Sequence, residues 1–202
     1  GHRRLSDAAG EEVVGFRSPG YNTNKAVIDT VFSTGHTYDS SVFSCPPYYM
    51  AKACVMGWMR LRGRRSQSIL GSPRVLFSPA EPYLMDREQP HRQGRGPGVQ
   101  CPVAVALGIP LIGTAFTALG QGGTLAAIRA GLRLRKHLTI EFHAVDLMSL
   151  GDDALDPALA VQPDLRTTIE KKWKIFHAAL SLIAENTRVE RLDRLVGEGD
   201  LI

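Results

Sequence analysis

The sequence predicts an α/β fold, on the strength of three features. Short β-like runs alternate with helical runs along the 202 residues. The first strand, helix and second strand occupy residues 12–42, which is about the length of a parallel crossover unit. Two of the strand-like runs end near an arginine or a histidine after a set of apolar positions. Together these features predict a mostly parallel sheet with candidate catalytic residues at its edge.

The N-terminal residues predict a helix end followed by one crossover. Residues 2–9 are typical of a helix, and Gly10 can supply the left-handed residue that stops it. The crossover consists of a strand at 12–17, a helix capped by Asn22 or Asn24 that ends at Gly35, and a short strand or loop at 38–42.

The middle of the chain predicts a second helix, a strand and a loop. Pro46 and Pro47 suit the first turn of a helix that continues to Arg62. Residues 74–77, placed between prolines, predict a strand. Residues 78–99 are rich in Pro, Gly, Arg and Gln and predict a long exposed loop.

The C-terminal half predicts a further alternation of elements. Residues 102–128 lie in the longest uncharged run, and their proline and glycines favour a buried strand, a turn and a helix over a membrane span. We expect strands at 103–107 and 138–147, helices at 122–135 and 165–185, and a closing segment at 189–196.

Length and composition set the class of protein. The chain is long enough for a single domain with one sizeable core, 44% of its residues are hydrophobic, and its formal net charge is +4. Its three cysteines have no CxxC spacing, so they predict neither a disulfide framework nor a zinc knuckle. Reduced core cysteines favour a cytoplasmic compartment. A cytoplasmic or inner-membrane-associated location is expected, and the sequence leaves the choice open.

Arg17 and His143 are the leading candidates for chemistry. Side chains alternate along a strand, so Val14 and Phe16 would share one face and Arg17 the other. By the same rule Thr139, Glu141 and His143 would share the face opposite Ile140 and Phe142. Barrel-type α/β enzymes build their active sites at the C-terminal ends of their strands. Asp39 is interpreted as a turn former or cap, and His36, His137 and His177 as structural.

Several common motifs are missing from the sequence. The glycines at 120–123 do not fit GxGxxG, no Walker loop occurs, and neither GxSxG nor HExxH is present. Dinucleotide binding, P-loop nucleotide binding and these two hydrolase types are therefore not predicted.

Three segments occur in an order that resembles a known family. They are GFRSPGY at 15–21, YDSSVF at 38–43 and EFHAVD at 141–146. In this order they resemble the polysaccharide deacetylases, the NodB-homology or carbohydrate esterase 4 group. The resemblance covers most of the chain from residue 11 onward. It implies an incomplete deformed (β/α) barrel of the NodB-homology type.

The resemblance also implies an activity and residue roles. The family hydrolyses N-acetyl groups of a glycan or lipid-linked amino sugar with a divalent metal such as zinc or cobalt, which polarises the amide carbonyl and activates water. Arg17 would orient the catalytic base, and the backbone N–H of Gly20 or Tyr21 would hold the oxyanion. His143 would be the general acid, a role that suits an imidazole. Asp146 would orient His143 if the chain bends back. Glu141, which shares a strand face with His143, is the other possible orienting residue.

The sequence departs from the family pattern in two ways. Gly20 stands where an aromatic residue usually follows the proline, and Tyr21 comes one place later. The Asp-Asp and His-x-x-x-His segments that bind the metal in the family precede the arginine motif, and they are not visible here. The resemblance thus implies a C-terminal portion that lacks its metal ligands and is inactive as given. The alternative is a non-catalytic α/β module that binds carbohydrate or a partner.

The segment 46–65 suggests a second possible partner. Arg60, Arg62, Arg64 and Arg65 follow a helix rich in aromatic residues and methionine. The ordinary interpretation is a buried helix with a solvated end. The alternative is an interfacial helix that makes a peripheral contact with anionic lipid. Nucleic-acid binding is not expected, because no aromatic platform is interleaved with the arginines.

Overall fold

The computed structural model describes residues 1–63 and 72–197. The chain divides into two compact units: residues 1–103 with 190–202, and residues 104–189. This division concerns compactness only, so the single-domain prediction stays a prediction. Each unit is described by itself below.

The predicted α/β class is confirmed. The described residues contain six α-helices, a four-stranded sheet and a two-stranded sheet. Within these residues the strands do not close into a barrel, so the NodB-type barrel is not confirmed. No helix in residues 1–63 and 72–197 is long and apolar enough to cross a membrane.

The crossover predicted in the first unit is confirmed. Helix α1 (His2–Ala9) ends at Gly10, whose φ of 69° is left-handed. Strand β1 (Gly15–Phe16) leads to helix α2 (Lys25–Ser33), and the Asn24 side chain caps that helix by accepting the Val27 N–H at 3.0 Å. Strand β2 (Tyr38–Asp39) then pairs parallel to β1.

The four-stranded sheet has the order β1-β2-β4-β3. Strand β4 (Val99–Gln100) pairs parallel to β2, and β3 (Tyr83–Leu84) pairs antiparallel to β4 at the edge. Gly15 sits under the Tyr38 ring, where a Cβ would come within 2.2 Å of the ring carbons. Any larger residue at position 15 would have to displace the Tyr38 ring.

Helix α3 (Pro46–Leu61) begins at the predicted prolines and buries none of its side chains. The strand predicted at 74–77 is wrong, because Pro73–Phe77 is a short 3₁₀ helix. Pro73 occupies its first turn, and the Ser72 side chain accepts the Arg74 N–H. Proline and a serine cap favour a helical turn over a strand.

The long exposed loop predicted at 78–99 is also wrong. Its residues supply β3 and the start of β4, and Tyr83 and Met85 are buried against Ile28. The Tyr83 hydroxyl donates to the carbonyl of Pro90 at 2.9 Å. The composition of this segment, which is rich in Pro and Gly, predicted a loop and gave no sign of its short buried apolar positions.

The second unit is built around two helices. A hairpin of β5 (Val105–Ala106) and β6 (Ile109–Pro110) precedes helix α4 (Gly113–Leu134). Helix α4 therefore starts well before the predicted residue 122, and it contains a non-helical residue at Gly120 with φ 65°. Helix α5 (Ile169–Asn186) packs on α4 around a cluster of buried apolar residues: Ala104, Ala106, Leu111, Phe116, Ala127, Ile128, Ile175, Phe176, Ala179 and Ile183.

The continuous strand predicted at 138–147 is wrong. Glu141 forms an isolated parallel bridge with Ile112, and Ala144–Leu147 is a 3₁₀ helix. The chain turns because the carboxylate of Asp146 accepts the backbone N–H of His143 at 2.7 Å. A side-chain cap of this kind competes with strand pairing. The predicted closing segment at 189–196 contains most of helix α6 (Leu192–Gly197), in the first unit.

Candidate functional site

Arg17 lies at the C-terminal edge of the parallel strands, as predicted. It follows β1, while Ser40 follows β2 and Cys101 follows β4. The Arg17 Nε donates to the Ser40 carbonyl at 2.9 Å, and Nη2 donates to the Ser40 hydroxyl at 2.7 Å. Ser40 in turn donates to the Cys101 carbonyl at 2.6 Å. One polar chain thus ties together the ends of three strands.

A second polar chain contains the buried carboxylate of Asp39. Asp39 accepts the hydroxyl of Ser41 at 2.5 Å and its backbone N–H at 3.1 Å. The Ser41 hydroxyl also accepts the Ser18 N–H at 2.7 Å. The prediction that Asp39 forms a turn is confirmed, since its side chain bonds the backbone two residues on.

Burial favours the neutral form of the Asp39 carboxyl. Desolvation raises the pKa of its carboxyl, against the hydrogen bonds from Ser41 and the charge of Arg17. The Gln100 amide is close enough to lower that pKa, but its N and O atoms are buried and make no hydrogen bond of ordinary geometry. Sequence reasoning singled out neither Gln100 nor Ser40. The parallel register of β2 and β4 points to Ser40 and Gln100, but only once the position of β4 is known.

The turn after Arg17 has unusual backbone geometry. Gly20 has φ 64° and Tyr21 has φ 61°, and a positive φ is strained for an aromatic residue. Ring contacts hold Tyr21 against Phe43 at 4.7 Å and Tyr48 at 6.4 Å. The Tyr21 N–H donates to the Ser18 carbonyl at 3.0 Å, so Gly20 remains as the candidate oxyanion donor.

His143 lies in the second unit, between two carboxylates. Its side chain is 60% exposed, whereas Glu141 is 5% exposed and Asp146 is fully buried. The ring Nε2 lies 3.2 Å from Oε1 of Glu141, and Nδ1 lies 3.9 Å from Oδ2 of Asp146. An exposed imidazole is thus backed by two buried acids.

Both acidic residues are anchored to the start of α4, Glu141 through its backbone and Asp146 through its carboxylate. The Gly113 N–H donates to the Glu141 carbonyl at 3.0 Å, and the Thr114 hydroxyl lies 3.4 Å from Oδ1 of Asp146. A Cβ on Gly113 would come within 2.1 Å of Asp146 Oδ2, so only glycine admits the carboxylate there. The N-terminus of a helix favours a negative charge at this place.

The predicted residues therefore form two groups. Arg17, Gly20 and Tyr21 belong to the first unit, and Glu141, His143 and Asp146 to the second. The bend that would return Asp146 to His143 is present. The prediction that Arg17 and His143 face one cleft stays a prediction.

Lys172 is a buried group that sequence reasoning missed. It is fully buried on α5, and its Nζ donates to the carbonyls of Met148 at 2.6 Å and Val145 at 3.3 Å. Its spacing to Ile175, Phe176 and Ala179 puts it in the apolar stripe of the helix. That spacing was the available signal.

The described residues do not fit a resident metal ion. In residues 1–63 and 72–197, no three His, Cys, Asp or Glu side chains are grouped so that they could hold one. Asp39 bonds to Ser41, and the two acidic residues beside His143, Glu141 and Asp146, do not complete such a group with it. No step of the chemistry is therefore derived through a metal.

Comparison with known proteins adds no relative. No family model matches the chain, no curated protein matches it, and no solved structure matches it.

Proposed function

We propose that this chain is part of a hydrolase that removes N-acetyl groups from a glycan or a lipid-linked amino sugar, with His143 as the general acid. The observation that carries the proposal is the exposed imidazole backed by the buried carboxylates of Glu141 and Asp146. The order of the segments at 15–21, 38–43 and 141–146 supports the choice of substrate class.

The chemistry assigned to His143 is proton delivery to the leaving amine. Water adds to the amide carbonyl, and the C–N bond breaks only when the nitrogen gains a proton. In this proposal the exposed ring of His143 delivers the proton to the amine, with Glu141 beside Nε2 and Asp146 beside Nδ1. Asp146 holds the backbone of His143 and so sets the position of the ring.

The turn at 18–21 is assigned to oxyanion binding. The φ angles of Gly20 and Tyr21 are both positive, so the chain leaves β1 in a direction that an ordinary strand end does not take. Preorganised N–H donors of this kind stabilise the negative oxygen of a tetrahedral intermediate. Arg17 acts as a positioning residue, because its bonds to Ser40 fix the β1 end next to this turn.

The test is acetate release from N-acetylglucosamine oligomers by the protein expressed from its complete gene. His143→Ala is expected to lower kcat by roughly a hundredfold or more with little change in KM. His177→Ala, an exposed histidine on α5, is the matched control and should behave as wild type. Unchanged turnover in His143→Ala would rule out the acid role.

The second candidate is a module that binds carbohydrate or a partner without hydrolysis. The observation that favours it is the absence of a metal-holding group from the described residues. Calorimetric titration of the 202-residue chain with the same oligomers distinguishes the two. Binding without acetate release from the complete gene product would favour this module.

A further inference from the structure

Helix α3 has an exposed apolar side, and what this side indicates does not depend on the proposed function. In soluble proteins a helix of sixteen residues normally buries an apolar stripe. No side chain of α3 is buried. Met50 is 69% exposed, Trp58 is 52% exposed and Leu61 is 88% exposed.

These exposed side chains share one side of the helix. At 100° per residue, positions 50, 54, 58 and 61 fall within about a quarter turn of one another. We call this set, Met50, Cys54, Trp58 and Leu61, the outer face of α3. The opposite side carries the half-buried Tyr48, Tyr49 and Met56, and Tyr48 packs on Phe43 at 4.8 Å. The outer face therefore points away from the rings that attach the helix to its unit.

The charged residues of the segment that carries the outer face are all positive. From Ser40 to Ala80 the sequence contains one lysine, five arginines and no acidic residue, whereas the rest of the chain has a net charge of −2. Arg60 and Arg62 flank Leu61 on either side of the helix. The Arg62 guanidinium lies 4.0 Å from the centre of the Trp58 ring, so it remains at the border of the apolar set. Arg64 and Arg65, part of the predicted contact segment 46–65, lie outside the described residues.

We propose that the outer face of α3 docks on an anionic lipid surface. An interfacial helix buries its apolar side at the boundary of the acyl chains and keeps its cations at the level of the headgroups. Trp58 and Leu61 supply the apolar side, and Arg60 and Arg62 supply the cations. A second copy of this chain would place these arginines against one another with no acidic residue of the segment to pair with them, so charge complementarity favours lipid.

The test is co-sedimentation of the 202-residue chain with vesicles. Binding is expected to vesicles that contain phosphatidylglycerol, to be much weaker on pure phosphatidylcholine, and to fall at high salt. Neutralising both cations in the Arg60→Gln/Arg62→Gln double variant should lower the partition coefficient roughly 25-fold, about fivefold for each cation. Trp58→Glu should abolish binding.

Matched controls come from α5. Trp173 is 55% exposed there, close to the exposure of Trp58, and Trp173→Glu should bind as wild type does. Lys171→Gln/Lys174→Gln removes two exposed charges from α5 and should keep most of the affinity. Thermal unfolding of every variant checks that the fold is kept.

A probe on the wild-type sequence gives a second readout. Cys54 is exposed, whereas Cys45 and Cys101 are buried, so an environment-sensitive fluorophore can be attached at Cys54. Its emission should shift to the blue with phosphatidylglycerol vesicles and stay unchanged with phosphatidylcholine. The proposal is overturned if the anionic vesicles bind no protein, if Trp173→Glu and Trp58→Glu lose binding equally, or if Leu61→Glu instead abolishes a dimer seen in sedimentation.

Discussion

The two compact units of this chain arrange their buried apolar side chains differently. In residues 104–189, ten buried apolar side chains from a hairpin and two helices form one cluster. In the first unit the corresponding cluster contains Ile28, Tyr83 and Met85, and the sheet edge buries Asp39 and Gln100. Helix α5 buries five residues, and α3 buries none.

This difference shows how each unit positions its candidate catalytic residues. In the second unit, apolar packing holds α4, and the start of α4 contacts the backbone of Glu141 and the carboxylate of Asp146 behind His143. In the first unit, hydrogen bonds across the ends of the parallel strands place Arg17 and Asp39. The first unit also leaves one helix with an apolar side exposed.

The largest effect is expected where apolar packing dominates. Phe176 is 3% exposed and lies between Phe142 at 5.3 Å and Phe116 at 6.1 Å. Phe176→Ala should lower the free energy of unfolding by about 3–5 kcal/mol, because it removes buried apolar atoms and leaves a cavity. Urea denaturation measures it. Trp58→Ala on α3 is the control, and a comparable loss there would show that α3 is packed after all.

A smaller effect is expected at the buried lysine of the second unit. Lys172→Met keeps the apolar stem but leaves the carbonyl of Met148 without its lysine donor, whereas the carbonyl of Val145 still accepts the Met148 N–H at 3.2 Å. We expect unfolding to become easier by about 1–3 kcal/mol. Lys174→Met on the exposed side of the same helix removes only a solvent-exposed ion pair, so its midpoint should not move measurably. Equal midpoints for the two variants would show that the buried ammonium is dispensable.

The buried carboxylate of the first unit should give a pH signature. Burial raises the pKa of Asp39 above its usual 3.8, so the folded protein binds this proton more tightly than the unfolded chain does. The resulting stability is present below the unfolded pKa and is lost as pH rises through the folded pKa. Asp39→Asn should therefore gain stability relative to wild type between pH 4 and pH 7. A difference that stays constant over this range, measured by urea denaturation, would contradict the effect of burial.

The smallest effect is a difference in thiol reactivity. Burial raises the pKa of Cys101 to about 12 and also raises that of Cys45, whereas Cys54 is exposed on α3. Ellman's reagent should react with one thiol in the folded protein and with three in denaturant. Reaction of all three thiols in the folded protein would show that the sheet edge opens readily.

Local sequence signals predicted several elements well. Gly10 stops α1, Asn24 caps α2, and paired prolines begin α3, because each of these signals acts within one helical turn. Predictions failed where distant residues decided the outcome. Residues 83–85 became a buried strand end only because β4 pairs with them, and 144–147 became a 3₁₀ helix through the side chain of Asp146.

The sequence by itself determined the α/β class, the parallel crossover at the start, and the choice of Arg17 and His143 as candidates. These follow from periodicity and from residues that act on their neighbours in the chain. Only the tertiary structure placed Ser40 and Cys101 beside Arg17, Lys172 beneath the 3₁₀ turn, and the apolar side of α3 in solvent. Strand register and burial depend on pairings between residues far apart in the chain, and no local pattern encodes them.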